Sequence, residues 1–409
     1  MWKMFRWVPT ILLFIAVSTN IAEADRNAEL KERARSGDMD AQYDLAFLYD
    51  NGYGVELNYT EARTWYRKAA DQGHTAAQWN LGAIYANGLG VPEDLGTAIN
   101  WYRKAAQNGH VTAQYDLGIL YSSGKGIEQS DIEALLLIDK AANASAKQAV
   151  YRGDRDSFNA AKAIAAKYAG ARDTLISRMT IEQLTKTAQQ GVVLSQARLG
   201  FVHGEGASVK QDNTAAVLWH SQAAEAGHPT AQYFMGLHCF SGKGIKQSKE
   251  EAAEWYEKAA QQGHADAQWN LGLMHRTGDG APRDDSVAAK WFLKAAEQGH
   301  KQAQMNLGFM YATGEGVGQK DTQAANWYRR AANQGNPRAQ FNLALRYARG
   351  QGAPQDLGQA YLWIKLAERN APPDEHAEVL KVLGYIVSLM EPEQVTEGEA
   401  LLQKWRPRM

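Results

Sequence analysis

Five histidines occupy one recurring place: His74, His110, His228, His264 and His300 each follow a glycine directly. A column of imidazoles could ligate a transition metal, but the ligands would have to converge within about 2.1 Å of one ion. Equivalent loops of neighbouring helical units lie about 10 Å apart, a helix diameter. The column therefore predicts polar loop residues near the start of a following helix, and neither a metal nor a cofactor is expected. The other histidines, His203, His238 and His275 among them, show no ligand spacing. Cys239 is the single cysteine and stands where other copies carry Tyr49, Tyr85 or Tyr311. It cannot form an intramolecular disulfide and reads as a small buried apolar residue rather than a nucleophile. The serines lie in no G-x-S-x-G elbow or S-x-x-K pair. Gly314-Glu315-Gly316-Val317-Gly318-Gln319-Lys320 resembles a phosphate loop only superficially, because it lacks P-loop spacing and follows a helix rather than a strand. Asp94 and the pair Asp284-Asp285 sit where helix N-caps belong. No catalytic residue is expected.

The elements that carry these residues recur every 36 positions. Copies begin at Ala41, Ala77, Ala113, Ser195, Ala231, Ala267, Ala303 and Ala339, with extra chain between the third and fourth. A period in this range marks a solenoid. In the second copy, Ala77, Leu81, Ile84 and Tyr85 have the spacing of a first helix, and Ala98, Trp101, Tyr102, Ala105 and Ala106 that of a second. Asn87-Gly88-Leu89-Gly90 turns the chain between them, since glycine takes the positive φ of a helix exit. The unit is a helical hairpin. Glycine inside a helix costs about 1 kcal/mol relative to alanine. Gly82, Gly118, Gly200, Gly236, Gly272 and Gly308 nevertheless interrupt the first helices, which predicts a partner too close for a Cβ. Only the outermost copies have alanine there, at Ala46 and Ala344. The second-helix tryptophans, such as Trp101 and Trp327, need a stacked neighbour to bury them.

The pattern A-x-x-x-L-G-x-x-Y-x-x-G-x-G-V-x-x-D-x-x-x-A-x-x-W-Y-x-x-A-A-x-x-G closely resembles the Sel-1-like repeat, a relative of the tetratricopeptide repeat, over Ala41 to Ala142 and Ser195 to Ala367. The resemblance implies a right-handed superhelix of paired antiparallel helices and a role in holding other macromolecules together. The expected fold is thus an all-α, right-handed α-solenoid of 36-residue hairpins, in two arrays with helical caps.

Along the chain, Lys3 and Arg6, the apolar run Trp7 to Val17 and Ala22-Glu23-Ala24 form the layout of a cleavable secretory signal over residues 1–24. An uncleaved anchor is the alternative, although the run is shorter than the roughly 20 residues that span a bilayer. Cleavage after Ala24 would place the mature chain in the periplasm or outside the cell. Residues 25–40 read as a half-repeat cap and 41–142 as repeats 1–3. A helical inter-array segment with breaks near Gly153 and Gly170 follows at 143–190, then repeats 4–8 at 191–371. Residues 372–409 form a closing cap, entered at Ala371-Pro372-Pro373. Met179 to Thr185 is echoed by Met390 to Thr396, each after the last hairpin of an array.

The remaining candidate chemistry is recognition. Counting the Ala41-type residue as zero, positions two, three and six of each first helix point away from the core stripe. Position two reads Tyr43, Trp79, Tyr115, Ala197, Tyr233, Trp269, Met305, Phe341. Position three reads Asp44, Asn80, Asp116, Arg198, Phe234, Asn270, Asn306, Asn342. Such a ladder could grip an extended peptide, whose backbone suits asparagine side chains; the rings could equally pack between hairpins. The net charge of −1 does not favour nucleic acid or an anionic membrane. The reading is a non-enzymatic scaffold of the bacterial envelope or secreted space that binds proteins or peptides on its concave surface. A peptidoglycan- or polysaccharide-binding module is one alternative. Another is the β-lactamase-like activity associated with Sel-1-like relatives that carry a cysteine pair in each repeat, where this chain has one cysteine in all.

Overall fold

The computed structural model describes residues 20–150, 155–206 and 208–406. Residues 1–19 of the expected signal and the expected break at Gly153 therefore lie outside the described residues. Among the described residues there are 21 helices and no strand. The described residues form two compact units, divided between Thr187 and Ala188.

Each unit is a run of hairpins in which the helices of the repeats pack on their neighbours in sequence, while Pro392–Lys404 returns to Leu357–Asn370, an α-solenoid. In the first unit Asn20–Arg35 precedes Met39–Asn51 with Tyr59–Asp71, Thr75–Asn87 with Leu95–Gln107, and Val111–Ser123 with Asp131–Val150; Arg155–Arg178 and Ile181–Gln189 follow. The second unit has five pairs: Val193–Glu205 with Asn213–Glu225, Pro229–Ser241 with Lys249–Gln261, Ala265–Thr277 with Asp285–Glu297, Lys301–Thr313 with Asp321–Asn333, and Pro337–Arg349 with Leu357–Asn370. His376–Ser388 and Pro392–Lys404 come last.

All eight first helices end on a glycine in the left-handed region, from Gly88 at φ 64° to Gly314 at 83°. Its backbone N–H reaches back to close the last turn, as Gly88 does to the Ile84 carbonyl. The second helices start on side-chain caps at Asn58, Asp94, Asp212, Ser248, Asp284 and Asp356. The mid-helix glycines face a side chain first, a ring in five copies and Ile138 over Gly118. A Cβ on Gly308 would lie 2.7 Å from Tyr328, one on Gly82 2.8 Å from Tyr102, and one on Gly272 2.7 Å from Phe292. These are the residues immediately after the tryptophans, and Tyr102, Tyr256, Phe292 and Tyr328 are among the most completely buried large side chains.

A glutamine column joins the hairpins. The residue after each Ala41-type position is glutamine in all eight copies, and its Nε2 donates to a carbonyl eight residues back, as Gln78 does to Ala70 and Gln304 to Ala296. In six copies its Oε1 accepts from the end of the following second helix, for example from Gln334 at 2.9 Å. Each such bond contributes about 1 kcal/mol, and leaving its buried partner unmade costs more.

The closing elements share a device. Thr180 and Gln183 exchange side-chain and backbone hydrogen bonds ahead of Ile181–Gln189, and Glu391 with Gln394 does the same ahead of Pro392–Lys404. The echoed sequences are capping boxes. The break expected near Gly170 is absent, and Arg155–Arg178 runs through it. A Cβ there would meet nothing within 4 Å, and a 24-residue alanine-rich helix absorbs one glycine.

Candidate functional site

The histidine column turns out to cap helices. Each of the five histidines is the N-cap of the next first helix. Its Nδ1 accepts the backbone N–H three residues on: His74 from Ala77, His110 from Ala113, His228 from Ala231, His264 from Ala267 and His300 from Ala303, at 3.1 to 3.4 Å. Asp38 and Asn336 do the same in copies one and eight, whereas Val192 in copy four offers no side-chain bond. An accepting Nδ1 leaves the proton of the neutral ring on Nε2. Desolvation by burial favours that neutral form: it lowers the pKa of His74, His264 and His300 and pushes His110 down to about 4.

Position two meets these caps. Tyr43 stacks on His74 with centroids 4.3 Å apart, Trp79 on His110 at 5.4 Å, Tyr233 on His264 at 4.6 Å and Trp269 on His300 at 5.3 Å. Tyr115 stacks instead on Tyr168 of Arg155–Arg178, at 4.2 Å. The ring edges then reach position three of the next repeat: Trp79 Nε1 donates to Asp116 at 2.9 Å, and Asn80 and Asn270 act on the hydroxyls of Tyr43 and Tyr233, partly offsetting the rise in pKa that burial causes. Burial pushes the Asp116 carboxyl up to about 6, against the lowering effect of the Trp79 N–H and of Lys167. Ala197, Met305 and Phe341 are half-buried at position two without a histidine stack. At position three, Asp44 and Arg198 are exposed, Phe234 and Asn342 half-buried and Asn306 buried. Asn342 donates back to the Arg338 carbonyl in its own helix. Four of the position-two rings are thus taken up by the capping histidines of the joints between hairpins, and Trp79 also bonds across to position three.

What faces outward is position six, on the same helix stripe as position three. In the second unit it reads Phe201, Leu237, Leu273, Phe309, Leu345: exposed at Phe201 and half-exposed in the other four. Phe201 lies 6.1 Å from Phe234 of the next repeat, and the Arg276 guanidinium 5.0 Å over Phe309. One apolar side chain per repeat thus makes a continuous row. The first unit has Phe47 and Ile119 at these places and the buried Ala83 between them. Position six carries the same signal in the sequence, an uninterrupted apolar column on an otherwise polar stripe.

Other candidate chemistry is enclosed. Cys239 is buried and its thiol pKa raised by burial. His220 occupies the ring slot over Gly200, with its Nδ1 3.2 Å from His238 Nε2, and burial pushes it down to about 3. Among the described residues no group of three or more His, Cys, Asp or Glu side chains could hold a metal ion, and no helix is long and apolar enough to cross a membrane.

Stacked hairpins in each unit define a helical-repeat protein. The Sel1 repeat matches residues 40–74, 75–110, 111–145, 193–228, 229–264, 265–300, 301–336 and 337–371, and the chain belongs to the Sel1 repeat family. Proteins built from this repeat are generally non-catalytic scaffolds for protein interactions. Similar solved structures include a protective antigen of uropathogenic Escherichia coli with an SLR fold, 28% identical over 92% of this chain and 94% of that one, TM-score 0.42. A Sel1 repeat protein from Oxalobacter formigenes is 27% identical over 91% and 98%, TM-score 0.46. No curated protein matches the chain in sequence.

Proposed function

We propose that the chain is a protein-interaction scaffold of the bacterial envelope or secreted space, without chemistry of its own, which holds its partners on the first-helix face of the repeats. The observation that carries this reading is the row Phe201, Leu237, Leu273, Phe309, Leu345, left in contact with solvent beside position-two rings, Tyr233 and Trp269, that are taken up in the joints between hairpins. Apolar side chains aligned over five units suit an elongated partner better than a small molecule. Membership of the Sel1 repeat family supports the same role. The placement outside the cytoplasm rests on the basic, apolar and Ala22-Glu23-Ala24 segments at the start of the sequence.

The test is affinity capture from envelope extract with the purified chain and with a Leu273→Asp, Phe309→Asp variant. A protein partner that is recovered reproducibly and lost with the variant, while its helical circular dichroism is unchanged, supports the reading. Recovery of no reproducible partner overturns it. N-terminal sequencing of the chain from fractionated cells should begin at Asp25; a chain retained in the cytoplasm with residues 1–24 attached would contradict the placement.

A further inference from the structure

We infer that the first-helix face of the unit formed by residues 188–409 takes an extended acidic peptide with an apolar side chain at about every third residue. This rests on the scaffold reading and names the partner's chemistry. The five first helices of that unit carry six cations, Arg198, Arg276, Lys301, Arg338, Arg346 and Arg349, against two carboxylates, Glu205 and Asp266. Some are already neutralised within the unit. Arg338 pairs with Glu375 and Arg346 with Asp321, and Arg276 approaches Glu315 at 3.9 Å, whereas Asp266 meets a His300 ring that burial keeps neutral and so retains its charge. Arg198, Lys301 and Arg349 are exposed and have no carboxylate partner among the described residues. They stand in the first, fourth and fifth first helices of the unit; against the carboxylates of Glu205 and Asp266 they leave the face net positive, most of all at its Lys301 and Arg349 end.

The spacing of that row sets the form of the ligand. Neighbouring first helices are set apart by about a helix diameter, 10–12 Å, and an extended chain advances about 3.3 Å per residue. One residue in three then meets each of Phe201, Leu237, Leu273, Phe309 and Leu345, and the residues between can carry the carboxylates. Three of the five apolar positions are leucines, which give nucleobases no stacking platform of the kind single-stranded nucleic acid needs. A peptide is therefore favoured over an oligonucleotide.

The test pans a phage-displayed library of random 15-residue peptides on the full chain, with an Arg198→Glu, Lys301→Glu, Arg349→Glu variant as counter-selection. Enriched peptides should be net negative, with apolar residues three apart, and should bind the variant at least about tenfold more weakly. A Phe201→Ser variant with the charges intact should weaken them as well, and Asp40→Asn with Asp44→Asn should leave them unchanged. Enrichment of neutral or basic peptides, binding unaffected by the charge reversal, or preferential binding of oligo(dT) overturns the inference. If no acidic peptide is enriched while affinity capture still yields a protein partner, this inference fails and the scaffold reading stands; failure of both experiments removes both.

Discussion

The joint at His110 in the first unit and the joint at His300 in the second share one geometry and differ in charge. In both, a tryptophan stacks on a capping histidine, at 5.4 Å and 20° for Trp79 and at 5.3 Å and 28° for Trp269. In both, the histidine Nδ1 caps the next helix. The neighbours diverge. Trp79 donates to Asp116, whereas the buried Trp269 Nε1 has no hydrogen-bond partner among the described residues, with Asn306 in the equivalent sequence place. His300 Nε2 lies 3.1 Å from Asp266, whereas Ala76 occupies that place before His110. The repeat reproduces packing, while single residues beside it set the electrostatics. The same contrast extends to the faces: the three first helices of the first unit carry Asp40, Asp44, Asp50 and Asp116 and no Lys or Arg.

The largest expected effect tests the shared geometry. Gly82→Leu and Gly308→Leu should each lower stability by about 3 kcal/mol by overpacking against Tyr102 and Tyr328, read as a fall in thermal midpoint by circular dichroism. A loss at only one of the two sites would break the equivalence. The next effect separates the joints. Trp79→Phe leaves the half-buried Asp116 carboxyl without its donor and should cost about 2 kcal/mol more than Trp269→Phe, which loses no such bond; equal losses in denaturant titration would contradict the assignment. Removing the caps comes third: His110→Ala and His300→Ala should each cost about 1 kcal/mol, and asparagine, which nature uses at Asn336, should restore most of it.

The smallest effect is on protonation. The folded pKa values of His74, His110, His264 and His300 are depressed, so their contribution to stability is complete above the unfolded value of about 6.5. It is lost as pH falls through the folded values, to about 4 for His110. Asp116, pushed up to about 6, acts in the opposite sense, and its contribution declines as pH rises through that value. Asp266→Asn removes the carboxylate that raises His300, so the His300 titration should move further down, towards that of His110. Imidazole resonances followed by NMR would show this, and an unmoved or rising His300 value would contradict the pairing.

Much of the fold is legible in the sequence because its constraints are local and repeated. The 36-residue period, the glycine that ends each first helix and the Asp94-type caps each act within one hairpin. The contacts between hairpins are harder to see. Tyr43 and His74 are 31 residues apart, as are Trp79 and His110, Tyr233 and His264, and Trp269 and His300; a polar loop histidine and an aromatic ladder look independent until the repeats stack. The columns carry the hint, since Met305 and Asn336 depart from them together. Ala197 with His228 breaks the rule, so the covariation alone is weak. Tyr168 could not be paired with Tyr115 by any period, because Arg155–Arg178 lies outside the repeats. The glutamine column was visible in all eight copies, but its meaning depends on carbonyls supplied by the preceding second helix.

Site-specific photo-cross-linking in living cells tests most directly where partners are held. p-Benzoylphenylalanine replaces Leu273 on the first-helix face or Glu257, which is exposed on the second helix of the preceding repeat. The expected result is a discrete protein adduct from position 273 and none from 257. Adducts from 257 alone, or from neither position, would contradict a scaffold that works through its first helices.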